Sequence, residues 1–408
     1  MKSLIVWQLL GKVLALAGQA YLVHHLGSEG YGTVSIAFGI MLMAVSCSGS
    51  ALNDQILRWL MRDHVATAIH LASAARWLNL AVGTAVGILA LGILAWGSQP
   101  DIGWILLLFA PFFPLMSFQH LGTQSLLRQG REARLVAIQT GCAALRQIVM
   151  MLMILAGAAW CALPVGVIAC SIALAVLLSY QPGGRGEPHG VPWATWRPLP
   201  GSRRSPRLLL GEIRLGITSG LASNGMENAL IPLAGLLLLQ HEVGFISLAL
   251  LACCQMPGLV RDLLRVRAVP RLLGIPGAGI LDVPRTLGMG WLMLFAAAVV
   301  LASVVAAGVV VPIFGSGWAG TGTLILLLIP YALVDAFQPL FHGIAINRGV
   351  RRSFRLTLWL SGGSLAGSAL GGHLGHTTGF TLGLSVGSLG GLGLWLLRNP
   401  GFLRRASA

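Results

Sequence analysis

The chain carries a dozen apolar runs of roughly 20 residues, and none alternates apolar with polar positions. A helix of about 20 residues crosses the ~30 Å hydrocarbon core of a bilayer. Inside that core the backbone must satisfy its own hydrogen bonds, which leaves only helices or closed barrels. Barrel strands would alternate over about ten residues, so the unalternated runs select helices. Composition agrees: 56% of the 408 residues are hydrophobic, 10% are charged, and the mean hydropathy is +0.81. A water-soluble surface needs about a quarter of its residues charged, so lipid is the expected solvent.

The runs place spans at 4–25, 33–57, 68–97, 102–126, 135–157 and 159–180. A second set falls at 208–239, 243–264, 286–312, 318–344, 354–372 and 377–397. The predicted fold is an all-α integral membrane protein of about twelve helices in two six-helix bundles, residues 1–180 and 208–408. Residues 181–207, rich in Pro and Gly with Trp193 and Trp196 among them, read as a cytoplasmic linker.

The formal net charge of +15 first suggests a nucleic-acid partner, but the basic residues are not gathered into a domain outside the membrane. They cluster after the even-numbered spans: Arg58 and Arg62; Arg128, Arg131 and Arg134; Arg185 to Arg207; Arg265 to Arg285; Arg348 to Arg352; Arg398 to Arg405. The turns after odd-numbered spans, including 26–32, 240–242, 313–317 and 373–376, hold no Lys or Arg. Positive residues stay on the cytoplasmic side, so both termini are expected there. No signal-peptide cleavage pattern is read at the N-terminus.

The two halves share a faint repeat. Gly32-Thr33-Val34-Ser35-Ile36-Ala37 opens the second span, and Gly244-Phe245-Ile246-Ser247-Leu248-Ala249 opens the eighth. Each follows a turn carrying an acid, Glu29 or Glu242. Repeated halves are a common basis for alternating-access transport.

The turn His25-Leu26-Gly27-Ser28-Glu29-Gly30-Tyr31-Gly32, followed by Ser35-Ile36-Ala37, resembles the first external turn of the Wzx-type polysaccharide flippases of the multidrug/oligosaccharidyl-lipid/polysaccharide (MOP) exporter superfamily. Glu242 to Ala249 resembles the corresponding turn of that family's second half. Ile313-Phe314-Gly315-Ser316-Gly317-Trp318-Ala319 resembles its "FG-x-x-W" turn, and Ala345-Ile346-Asn347-Arg348-Gly349 the stretch leading into a basic loop. The resemblance implies a flippase of the bacterial inner membrane. Its cargo would be a polyprenyl-diphosphate-linked oligosaccharide destined for lipopolysaccharide or exopolysaccharide, and it would work beside polysaccharide-assembly proteins. The seventh span departs from the family in lacking a central Asp; Glu227 is the nearest acid.

Ionisable residues at membrane depth are functional candidates by default. Lys12, Arg76, Arg146 and Arg214 are candidates for binding an anionic headgroup, since Arg grips phosphate bidentately and Lys as a point charge. For Lys12 and Arg214 the competing reading is a side chain reaching back to the interface. Candidates for coupling to H+ or Na+ are Glu227 with the neighbouring amide Asn224, then Asp335 and Asp54; Asp54 also reads as a partner of Arg58. The pairs His24–His25 and His373–His376 read as interfacial polar residues, and the six cysteines as small buried hydrophobes, so no metal site is expected. No Gly-x-x-x-x-Gly-Lys-[Ser/Thr] motif is present, so no nucleotide cofactor and no ATP hydrolysis are expected.

Two other functions share parts of this pattern. A cation-coupled exporter of drugs or metabolites would have the same architecture with an acid-lined cavity. A membrane glycan polymerase would need a large external loop, and every predicted external loop is short.

Overall fold

The computed structural model describes residues 2–61, 64–97, 99–129, 131–179, 206–221, 228–267, 279–284, 288–347 and 350–403. Those residues form helices and turns with no strand among them. In order they are α1 (Lys2–Ser46), α2 (Asn53–Met61), α3 (Val65–Trp96), α4 (Pro100–Phe109), α5 (Phe112–Met116), α6 (His120–Arg128), α7 (Glu132–Leu155), α8 (Ala159–Ser179) and α9 (Pro206–Gly220). There follow α10 (Leu230–Leu237), α11 (Gln240–Arg267), α12 (Met289–Phe314), α13 (Ala319–Leu327), α14 (Ile329–Asn347) and α15 (Val350–Arg398).

Among the described residues, six helices are long and apolar enough to cross a bilayer, or eight if each of two pairs bent by 51° is one span. The pairs are the Pro100–Met116 and His120–Leu127 segments, and Ser316–Leu327 with Ile329–Ala345. Two of the six are far longer than a span requires and are broken at expected turns. α1 leaves helical geometry at Gly27 (φ 66°), a left-handed conformation that glycine adopts without a Cβ penalty. α15 breaks at Gly375 and His376. Each therefore supplies two arms, and the helices are consistent with twelve spans. Of the expected linker, residues 181–205 lie outside the described residues, and Pro206 and Arg207 open α9.

Cα packing divides the chain into two units: Met1–Gly27 with Ile36–Gly225, and Ser28–Ser35 with Met226–Ala408. In unit 1, Leu52, just before α2, joins α2 and α3 in a core with Ile56, Trp59, Leu60, Ala68, Leu71, Ala72 and Ala75. α9 joins this unit through glycine: a Cβ on Gly220 would meet the Ser46 carbonyl at 2.7 Å. The run from α1 to α2 is interrupted by a 3-10 turn at Gly49–Leu52, which Ser48 caps by accepting from the Ser50 amide.

Unit 2 brings together three turns that the sequence singled out. A Cβ on Gly32 would run into the Gln240 carbonyl, and one on Gly244 into the Ser28 carbonyl, so the two repeat segments cross on paired glycines. Trp318, buried, stands beside them with Tyr31, Phe245 and Phe314 around it at ring-centroid distances of 6.3, 5.6 and 6.1 Å. Glu242 fastens this end. One oxygen accepts from the Leu239 amide (3.0 Å) and the other from the Thr377 hydroxyl (2.8 Å).

The arms of α15 pack through small residues. Gly363, Gly367 and Gly371 of the first arm meet the backbone of Gly379, Gly383 and Gly387 of the second, the close approach that substitutes for hydrophobic driving force within lipid. By contrast α12 buries only Val299, Ser303 and Val310, while Met293 and Leu301 are exposed on its surface. In a bilayer those side chains face acyl chains.

Candidate functional site

Unit 1 holds a buried polar network that joins four elements. Asn79, midway along α3 and fully buried, accepts from the Gly49 amide at 2.7 Å through Oδ1. Its Nδ2 donates to Ser117 Oγ and to His120 Nε2, both at 3.0 Å. His120 Nδ1 then lies 2.9 Å from Asn53 Oδ1. Because the Asn79 amide donates to Nε2, the network assigns the proton to Nδ1, which donates to Asn53. The imidazole is thus held neutral, with both nitrogens used. The break in the helix at Gly49 exposes the amide that this network satisfies.

Arg76 sits one turn before Asn79 on α3, is buried, and lies within electrostatic reach of His120. Arg146, midway along α7, is half-buried. Its stem packs on Gly166 of α8, where a Cβ would meet the Arg146 carbonyl at 3.0 Å and its Cγ at 3.1 Å. Cys170 of α8 lies within electrostatic reach of its guanidinium. The Nε of Arg146 is buried and has no hydrogen-bond partner among the described residues. Arg76 and Arg146 therefore occupy different seams of the same unit, the first toward α6 and the second toward α8.

The other expected headgroup residues contribute less geometry. Lys12 belongs to α1, but its side chain is outside the described residues. Arg214 is exposed on α9, and the Thr218 hydroxyl donates to its backbone carbonyl at 2.8 Å. Among the coupling candidates, Glu227 and Asn224 lie outside the described residues, as does the side chain of Asp54.

Asp335 of α14 is described and is buried. Arg261 of α11 donates from Nη1 to its Oδ1 at 2.8 Å, with 39% of the arginine side chain exposed and 8% of the aspartate. Tyr331, Gln338, Ser361 and Ser364 border a space of about 20 Å³ beside this acid, room for a single water. A cation binding at Asp335 would have to displace or share with Arg261, since burial makes an uncompensated charge costly in either direction.

The residues not singled out by sequence are Asn79, Ser117, His120, Gln147 and Arg261. Asn79 and His120 did carry a signal, as isolated polar residues within apolar runs, but their partners lie 30 to 67 positions away in the chain.

No protein-family model matches the chain, and no curated protein sequence does. Solved structures do. An inward-facing multidrug resistance MATE family transporter of the MOP superfamily aligns with TM-score 0.66 at 14% identity, covering 98% of both chains. The lipid II flippase MurJ in an inward closed conformation aligns with TM-score 0.69 at 11% identity, covering 98% of this chain and 88% of MurJ. A MOP superfamily transporter from Pyrococcus furiosus, described as having a binding pocket of reversed polarity, aligns with TM-score 0.58 at 15% identity over 98% and 95% of the two chains. This chain is a multi-pass membrane protein with the fold of the MOP-superfamily transporters.

Proposed function

We propose that the protein is a flippase that carries a polyprenyl-diphosphate-linked oligosaccharide across the bacterial inner membrane, with both termini cytoplasmic, for surface or exopolysaccharide synthesis. The observation that carries this reading is Arg146: a guanidinium at membrane depth whose Nε has no protein partner among the described residues. A cation in that position is expensive unless an anion answers it. A diphosphate supplies two charges and several acceptor oxygens, the chemistry that a planar guanidinium grips best. Arg76, buried in the same unit, and Lys12 would extend the cationic character, while Arg214 would meet the headgroup nearer the interface. The similarity of fold to MurJ, a lipid II flippase, supports a lipid-linked cargo. Coupling to H+ or Na+ would run through Glu227, Asn224, Asp54 or Asp335. Polysaccharide-assembly proteins would be partners, and residues 181–207 would link the two six-helix halves.

A second reading, a cation-coupled exporter of small drugs or metabolites, is favoured by the fold of the MATE multidrug transporter and by the buried carboxylate of Asp335. Proteoliposomes separate the two. The flippase reading expects transbilayer movement of a fluorescent polyprenyl-diphosphate disaccharide and no efflux of a lipophilic cation such as ethidium. Ethidium efflux driven by a proton or sodium gradient, with no glycolipid movement, would replace it by the second reading.

A further inference from the structure

A polar side chain outside the network and outside the sequence candidates is left without partners in unit 1. Gln147 of α7 is 4% exposed, and both its Nε2 and its Oε1 are buried with no hydrogen-bond partner among the described residues. The carboxamide lies in a notch of α1 that exists because residue 18 is glycine: a Cβ on Gly18 would collide with Oε1. Two turns earlier on the same face of α7, Thr140 faces Gly11, where an added Cβ would stand 3.5 Å from its hydroxyl oxygen, and it donates that hydroxyl to the Trp7 carbonyl at 3.2 Å. The seam between α1 and α7 therefore satisfies a short polar side chain from the α1 backbone, while the longer Gln147 goes unanswered.

Packing does not explain the amide. Methionine matches glutamine in length and flexibility and would fill the Gly18 notch with no polar atom left over. An orphaned amide in a lipid-surrounded interior is costly, so its presence calls for a partner that comes and goes. An amide offers two donors on its nitrogen and a two-lone-pair acceptor on its oxygen, both borne by one carbon, which suits neighbouring hydroxyls that each donate and accept. A diphosphate offers acceptors only and would leave Oε1 unmet. From this we propose that Gln147, on the α1 side of α7, binds the hydroxyl groups of the sugar in a lipid-linked headgroup, while Arg146, on the α8 side of the same helix, answers the phosphate. The inference rests on the flippase reading and adds to it the sugar-recognising residue.

The test uses full-length protein in detergent and two probes, polyprenyl diphosphate with and without a linked disaccharide, each titrated by isothermal calorimetry. Wild type binds the sugar-bearing lipid more tightly than the bare one. Gln147→Met loses at least tenfold in affinity for the sugar-bearing lipid and stays within twofold for the bare lipid, because only the hydroxyl contacts are removed. Its melting temperature is unchanged or higher, since an unpaired amide has been replaced by an apolar group of similar shape. If Gln147→Met binds the sugar-bearing lipid as wild type does, the amide holds at most a structural water and the proposal is wrong. Equal losses for both lipids, or wild type binding the two equally, would also overturn it. Should Gln147→Met fold poorly, Gln147→Leu is judged by the same comparison. Wild type binding neither lipid would instead remove the flippase reading on which the inference stands.

Discussion

Arg146 in unit 1 and Arg261 in unit 2 both project from apolar helices, and their surroundings are opposite. Arg261 is held at 2.8 Å by the buried Asp335, so the charge at that point is cancelled within the protein. Arg146 packs against Gly166 and Cys170, and no carboxylate is among these neighbours. Arg76, buried in the same unit, lies within electrostatic reach of His120. The difference teaches where an anionic cargo would find unspent positive charge. An internally paired arginine such as Arg261 serves the packing of its own unit; Arg146, whose Nε has no partner among the described residues, is the one placed to meet something from outside.

The neutrality of the network in unit 1 can be broken most severely at its centre. Asn79→Leu removes three hydrogen bonds at once and strands the buried Gly49 amide, Ser117 and His120. It should lower unfolding stability by about 3 kcal/mol, read as a fall in the melting temperature of the purified protein. A change within experimental error would mean that the break at Gly49 is held by other contacts.

The pairing in unit 2 is sharpened by a double-mutant cycle. Asp335→Asn leaves Arg261 facing a neutral amide and should destabilise by about 2 kcal/mol, less than a fully buried pair because the arginine is partly exposed. Adding Arg261→Gln should recover part of the loss. If the single and double variants are additive, the two residues do not act as a pair. Both variants should leave binding of polyprenyl diphosphate within threefold of wild type.

A smaller effect is expected where unit 2 is fastened by a single bond. Thr377→Val deletes the donor to Glu242 while keeping side-chain shape and should cost about 1 kcal/mol. Glu242 retains the Leu239 amide, so Glu242→Gln should cost no more. A larger loss in either variant would show that the clasp beside the Gly32–Gly244 crossing carries more than its own hydrogen bonds.

How much of this was legible in the sequence follows from the range over which each signal acts. Hydropathy and glycine are local. The turns at 26–32 and 373–376 appear as breaks in α1 and α15 at Gly27 and Gly375–His376. The three turn motifs meet around Trp318 in unit 2. The sequence presents the seventh span, 208–239, as one run, whereas its described residues form α9 and α10, with residues 222–227 outside them. Single polar residues in apolar runs were harder to weigh. One Asn or His hardly alters a hydropathy window, and what it does depends on partners brought in by the fold. Arg261 falls near the end of the span at 243–264, beside the basic cluster that begins at Arg265; only the packing of α11 on α14 shows that it answers Asp335. Gln147 neighbours the candidate Arg146 in sequence, and its lack of partners among the described residues is visible only in three dimensions.

The claim that unit 1 presents unspent positive charge to an anionic headgroup rests most directly on Arg146. Its test is the rate of transbilayer movement of polyprenyl-diphosphate disaccharide in proteoliposomes, compared among wild type, Arg146→Ala and Arg261→Ala. The predicted result is a fall of about thirtyfold or more for Arg146→Ala, the value of a charge-assisted contact to phosphate, and less than threefold for Arg261→Ala at equal amounts of folded protein. Wild-type movement in Arg146→Ala, or an equal fall in both variants, would contradict it.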